Sequence, residues 1–271
     1  MTNPFYDPKK LIVSRTGEQA YKDYLDRMKS ESKQGKKQTK QQKIPQTTST
    51  GFSLEDLTNF WQVDGVNYRN GVYQVDLAKT LLDEKATKTQ DEWAQYSKEA
   101  ISKGEFYVGD FPLYHSLFAT LFRNKDNSQY EGKVKEVKKF ILESMFNYWL
   151  TILTRIKYNP RGKDLVIHNY GLQDQYEIQE NIVGADDSIT KINPQNELNA
   201  ILGSNDVNEI NHVYKWITGK DAYLWRVNSK PEKIDERVAR FSVGSDGASL
   251  YCSWDPSYSG RALGVRAKLI R

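Results

Sequence analysis

Apolar residues recur at intervals of three and four along two stretches of this chain. From 131 to about 157, Val134, Val137, Ile141, Met145, Tyr148 and Ile152 keep that rhythm, and Phe140, Trp149 and Leu153 widen the stripe. Lys133, Lys135, Glu136, Lys138 and Lys139 hold the opposite side, so the spacing predicts one long core-facing helix, ended at Asn159-Pro160. In the second stretch Asn205 or Asp206 caps a helix carrying Val207, Ile210, Val213, Tyr214 and Ile217 on one face, with Gly219 as its stop. A surface helix is predicted over 91–103, carrying Trp93, Tyr96 and Ile101. After Pro112, LYHSLFATLF is apolar all round and reads as a short buried helix. Further upstream, Ser53 reads as an N-cap before Leu54, Leu57 and Phe60, followed by turns at Asp64-Gly65 and Asn70-Gly71.

The second half changes rhythm. LVIHNY (165–170), YEIQENIV (176–183), AYLWRV (222–227), RVARFSV (237–243), ASLYCSW (248–254) and ALGVRAKLI (262–270) are short β-type runs. Helices come first and strands later, without regular βαβ alternation. The expected class is therefore α+β, with mostly antiparallel strands and flanking helices rather than a Rossmann-like sheet.

Charge then marks a boundary. Of 271 residues, the first 50 hold 11 Lys+Arg against 5 Asp+Glu, although the whole chain is only +4. Six lysines and no apolar side chain lie in 29–43, which reads as a flexible linker, because such a segment buries too little to offset its ordering entropy. A short amphipathic helix through Tyr21, Tyr24, Leu25 and Met28 is expected before it. The division is thus a basic arm over 1–50 and a globular domain over 51–271. Electrostatic attachment of the arm to nucleic acid is the alternative to a solvated tether.

Most catalytic chemistry has no signature here. A single cysteine, Cys252, excludes an internal disulfide and a two-cysteine redox centre. His115, His168 and His212 lack metal-site spacing, so no metal or cofactor is expected. There is no GxxxxGK[ST] or GxGxxG loop, and Gly184-Ala185-Asp186-Asp187 lacks the calcium-loop pattern. Asp235 and Glu236, beside Arg237, are an acid/base candidate with His168, weighed against a salt-bridged turn and a satisfied structural histidine. No run approaches the ~18 apolar residues of a membrane helix. The N-terminus lacks a signal pattern, so a cytoplasmic or virion-associated protein is expected.

The run 242–260, SVGSDGASLYCSWDPSYSG, holds six Ser, three Gly, two Asp and two Tyr, and no Lys, Glu, Gln or Arg. Parity divides its strand-like part. Ala248, Leu250, Cys252 and Trp254 are expected to face the core, with Ser249, Tyr251, Ser253 and Asp255 facing solvent. Ser, Gly, Tyr and Asp suit a binding surface, where they offer adaptable hydrogen bonds and amphipathic rings.

With WRVNSKP and DERVARF before that run and GRALGVRAKLIR closing it, the C-terminal part resembles the variable proteins of diversity-generating retroelements, particularly archaeal ones. The resemblance implies a C-type-lectin fold close to that of the formylglycine-generating enzymes, with a variable region at about 238–266. It also implies diversification by adenine-directed errors, acting heavily on AAC and AAT codons. Such errors can yield Ser, Gly, Asp and Tyr but never Lys, Glu, Gln, Met or Trp. The implied variable surface is Ser242, Gly244, Ser245, Asp246, Gly247, Ser249, Tyr251, Ser253, Asp255, Ser257, Tyr258, Ser259 and Gly260, every one of a reachable type. Formylglycine-generating enzymes use paired cysteines and this chain has one, so that oxidase activity is not implied. The expected function is non-enzymatic binding of varied protein ligands. An enzyme using Asp235, Glu236 and His168, or a nucleic-acid-binding protein using the lysine arm, are the alternatives.

Overall fold

A computed structural model describes residues 51–192, 196–244 and 247–271, all within the unit Pro45–Arg271. The basic arm and its expected helix lie outside the described residues, as do Ser245 and Asp246.

The chain enters through three strands, β1 (Ser53–Asp56), β2 (Phe60–Tyr68) and β3 (Gly71–Leu81). Here the expected helix after Ser53 is corrected to strand. Ser53 does not cap; it sits opposite Asp64 in the β1–β2 register and donates to Asp64 Oδ2 at 2.7 Å. Trp61, Val63, Val66 and Tyr68 are the buried bulky residues of β2, a β-rich set whose alternation is broken by a bulge. That bulge falls where a turn at Asp64-Gly65 was expected, with Gly65 at φ +80° and the register slipping between Val63 and Val66. The true hairpin turn is Arg69-Asn70, and Arg69 adopts φ +52°.

Three helices follow. Helix α1 (Gln90–Lys103) opens on a capping box between Thr89 and Glu92 and closes on left-handed Gly104. Trp93, Ala94, Ser97 and Ala100 are its buried side, whereas Ile101, expected to share the stripe, is exposed. Helix α2 (Phe111–Arg123) starts from Asp110, whose carboxylate accepts the Leu113 N–H, and its side chains are nearly all buried, as the all-round apolar pattern predicts. Helix α3 (Glu131–Asn147) is shorter than expected. Tyr148 turns extended at φ −141°, and Leu150–Tyr158 becomes strand β4. The run LTILTRI is β-branched and almost wholly buried, so no polar alternation distinguishes it from a helix stripe.

Next come β5 (Asp164–His168), β6 (Tyr176–Glu180) and the short β7 (Asp187–Ser188), then α4 (Asn196–Leu202) and α5 (Val207–Thr218). Helix α5 has the expected Asp206 cap and Gly219 stop. Strands β8 (Ala222–Trp225), β9 (Asp235–Val243), β10 (Ala248–Trp254) and β11 (Leu263–Leu269) complete the domain.

Two sheets result, ordered β1-β2-β3-β11 and β6-β5-β4-β9-β10-β8-β7. Every described strand pair is antiparallel except β8 with β10, so the class is α+β with mostly antiparallel strands. Phe241 of β9 packs among Phe111, Tyr114, Phe118 and Tyr214, which seals one face of the larger sheet under α2 and α5. On the other face, α1 covers β4 through Trp93, Ala94 and Leu153. No helix among the described residues is long and apolar enough to cross a membrane.

Candidate functional site

Beyond α1, that second face carries rings instead of a helix. The register aligns Trp225 of β8, Tyr251 of β10, Arg240 of β9 and Thr151 of β4 in one cross-strand row. A neighbouring row holds Tyr223, Ser249 and Ser242. Tyr223 meets Trp225 at 4.9 Å between centroids, and Trp225 stacks on Tyr251 at 5.7 Å. Tyr251 meets Trp254 edge-on at 5.8 Å, and Trp254 meets Tyr258 at 5.5 Å and Trp149 at 4.5 Å. Six aromatic side chains from two strands and two flanking segments thus form one connected face. Tyr258 is 52% exposed and Trp149 37%.

Parity is confirmed for Ala248, Leu250 and Cys252, all fully buried, and corrected for Trp254. A bulge between Tyr251 and Trp254 shifts the register, so Trp254 swings to the same face as Tyr251 and is half-buried there. The solvent-facing expectation also fails at four positions. Ser242 and Ser249 are buried, because short side chains set among Tyr223, Trp225 and Tyr251 are shaded by taller rings. A Cβ on Gly247 would lie 2.4 Å from the Asp221 carbonyl oxygen, and one on Gly260 would lie 2.5 Å from Thr151 Oγ1. Both glycines are buried packing positions, not surface. Gly244, Tyr251 and Ser253 are half-buried, and Asp255, Ser257, Tyr258 and Ser259 are exposed, as a binding surface requires.

How the segment after Trp254 is held is distinctive. Arg240 donates to the Tyr258 carbonyl and, at 3.2 Å, to the Ser259 carbonyl. Trp93 Nε1 donates to the Gly260 carbonyl at 2.7 Å, and Lys88 and Gly260 exchange both backbone hydrogen bonds. Thr151 N–H donates to the Arg261 carbonyl at 2.7 Å. These anchors all grip main chain. Of the loop's polar side chains, Asp255 and Ser257 bond only within the loop, and those bonds hold the Asp255 carboxyl below the usual carboxylate range. Arg240 itself is fully buried, its guanidinium 4.9 Å from the Trp254 ring centre, and burial lowers its pKa to about 10.

A scan against protein-family models, a search of curated proteins and a search of solved structures each returned no match.

The acid/base candidates are not brought together. Glu236 pairs with Arg155 and Lys157, and Asp235 with Arg237. His168 is buried between Thr154 Oγ1 at 3.0 Å and the Ala200 carbonyl at 2.8 Å, and burial lowers its pKa to about 4. In the register His168 faces Thr154 and Glu236 faces Lys157, an odd separation along β4 that puts them on opposite faces. Asp235 faces Tyr158, four residues from Thr154 and so ~13 Å along the strand. Asp186 and Asp187 are likewise engaged, by the Arg226 N–H and by Lys191. Burial pushes the Cys252 thiol well up, which keeps it protonated.

Sequence reasoning missed Trp149, Tyr223, Trp225, Arg240 and the anchoring role of Trp93. One signal was present: Tyr223 and Trp225 alternate with Ala222 and Leu224, a bulky-small rhythm that puts both rings on one side of a strand.

Proposed function

We propose that this chain is a non-enzymatic ligand-binding protein of the kind diversified by retroelements. In this reading residues 51–271 form a C-type-lectin-like domain related to formylglycine-generating enzymes, and the aromatic face with its loop contacts a protein ligand. The observation that carries the reading is the main-chain anchoring of residues 258–261 beneath exposed side chains. A loop gripped by its carbonyls keeps its path when its side chains are exchanged. Substitution at exposed sites costs within about 0.5 kcal/mol, whereas the same change in a packed core costs several. Aromatic rings supply the binding energy such a surface needs, since Tyr and Trp bring large rigid contact area at small entropic cost. The exchangeable set reduces to Gly244, Tyr251, Ser253, Asp255, Ser257, Tyr258 and Ser259 among the described residues, with Trp149, Trp225 and Trp254 as a fixed platform.

Sequencing this gene and its surroundings across a population tests the proposal. Substitutions concentrated at adenines in the codons of Tyr251 to Ser259, with Arg240 and Gly260 constant and a template repeat beside a reverse transcriptase gene, are expected. Evenly scattered substitutions with neither repeat nor reverse transcriptase would overturn it.

A further inference from the structure

A second concavity shares no residue with the aromatic face. It is a cleft of about 510 Å³ where five elements converge. Pro112, His115, Ser116, Ala119 and Arg123, spaced by three and four, present one stripe of α2 to it. Around that stripe stand the Arg69-Asn70 hairpin turn with Asn67, the β6 residues Tyr176 and Ile178, the end of α4 and the start of α5. The volume is that of a small-ligand site.

We propose that this cleft binds a neutral, hydroxyl-rich ligand, a saccharide of one or two rings. Three carboxamides line it, Asn67, Asn70 and Asn199, and none has a side-chain hydrogen-bond partner among the described residues. Each offers two donors and an acceptor at fixed separation, the complement of neighbouring sugar hydroxyls. Ser116 adds a hydroxyl without a partner among the described residues, and Pro112, Ala119 and Ile178 supply apolar contact for the C–H faces of a ring.

The other charged and aromatic groups argue against the competing ligand classes. Arg123 is already bidentate with Glu209, at 2.6 and 2.7 Å, and Arg69 is paired with Asp174 at 3.2 Å. Little positive charge is therefore left for a phosphate. Tyr176 already packs against the Arg69 guanidinium at 4.0 Å and the His168 ring at 4.8 Å, which reduces the ring area left for a nucleobase. His115 forms part of the wall, 3% exposed, with Nδ1 unpartnered. Burial lowers its pKa to about 4, so it meets a ligand as a neutral imidazole.

Titration of the full chain with lactose, maltose, cellobiose and N,N′-diacetylchitobiose, followed by NMR of side-chain amides, tests this. At about 10 mM sugar a site with a Kd of about 1 mM is nine-tenths filled. At least one disaccharide should shift the Asn67, Asn70 or Asn199 amide signals saturably. In the Asn67→Ala/Asn199→Ala variant, whose two changed side chains are exposed, affinity should fall at least tenfold with the melting temperature unchanged. A free sugar and the end of a glycan share this chemistry. Comparable binding of the same disaccharide coupled through its reducing end to a carrier protein assigns a glycan end, and binding of the free form alone assigns a soluble sugar. No shift with any of the four, shifts that survive the double substitution, or shifts with inorganic phosphate or AMP alone would overturn the proposal.

Discussion

The two faces of the larger sheet are built from the same residue types and do opposite things. On one, Phe241 sits among Phe111, Tyr114, Phe118 and Tyr214, with ring centres as close as 4.7 Å and every ring sealed beneath α2 and α5. On the other, Trp149, Tyr223, Trp225, Tyr251, Trp254 and Tyr258 touch one another but keep one side toward solvent. An aromatic ring becomes core or contact surface according to whether an element is laid over it. The sealed face sets the shape of the domain, and the open face is free to change.

If that contrast is right, the largest effect should come from the sealed face. Phe241→Ala removes a ring at the meeting point of two helices, with an expected loss of ~3–5 kcal/mol in chemical denaturation. A loss below ~1 kcal/mol would mean that this face is not the structural one.

Acidification should come next, since its targets also lie on the sealed side. Burial lowers the pKa of both His115 and His168 to about 4, so between about pH 6.5 and 4 the unfolded chain takes up protons that the folded chain refuses. Each histidine then removes up to ~1.4 kcal/mol of stability per pH unit. Asp110 acts in the opposite sense: burial raises its pKa to about 6, so its contribution is lost as pH rises through 6 and returns on acidification. Glu197, whose pKa is also raised by burial, acts in the same sense as Asp110, so the two histidines leave a net fall of roughly 1 kcal/mol per unit or less from pH 6 to 4.5, measurable by urea unfolding. Stability that is flat or rises over that window would show that the histidines are not held neutral.

Arg240→Ala should have an effect of similar size. It leaves the Tyr258 and Ser259 carbonyls without their charged donor, for an expected ~1.5–3 kcal/mol. Exchange of amide hydrogens in residues 255–261 should accelerate with it. Unchanged exchange there would mean that Arg240 does not hold the loop.

How far this contrast was legible in the sequence depended on periodicity. Helices α2 and α5 and strands β5, β6 and β8 to β11 were readable, because Asp206, Gly219 and the short apolar runs punctuate them. Strand β4 was not, since Leu150, Ile152, Leu153 and Ile156 are buried on both sides and extend the stripe of α3 without a break. In the candidate site the parity of Ala248, Leu250 and Cys252 was legible. The bulge that turns Trp254 outward was not, because nothing in Cys-Ser-Trp marks an extra residue. The burial of Ser242 and Ser249 follows from the height of their cross-strand neighbours, which a single strand does not reveal. Arg240 was invisible for a related reason: its partners are backbone carbonyls eighteen and nineteen residues away, and no side-chain pattern encodes them.

Thermal melting of a pooled variant tests the central claim most directly. Tyr251, Ser253, Asp255, Ser257, Tyr258 and Ser259 would be replaced together by other small or aromatic residues, leaving Trp149, Trp225, Trp254 and Arg240 intact. The expected result is a cooperative transition within a few degrees of the parent, because the loop is gripped by its main chain and a change of ~1 kcal/mol moves the midpoint of a domain this size by roughly 2–4 °C. A protein that no longer melts cooperatively, or whose midpoint drops by more than about 10 °C, would mean that those side chains hold the fold together. The aromatic face would then be structure rather than a surface for binding.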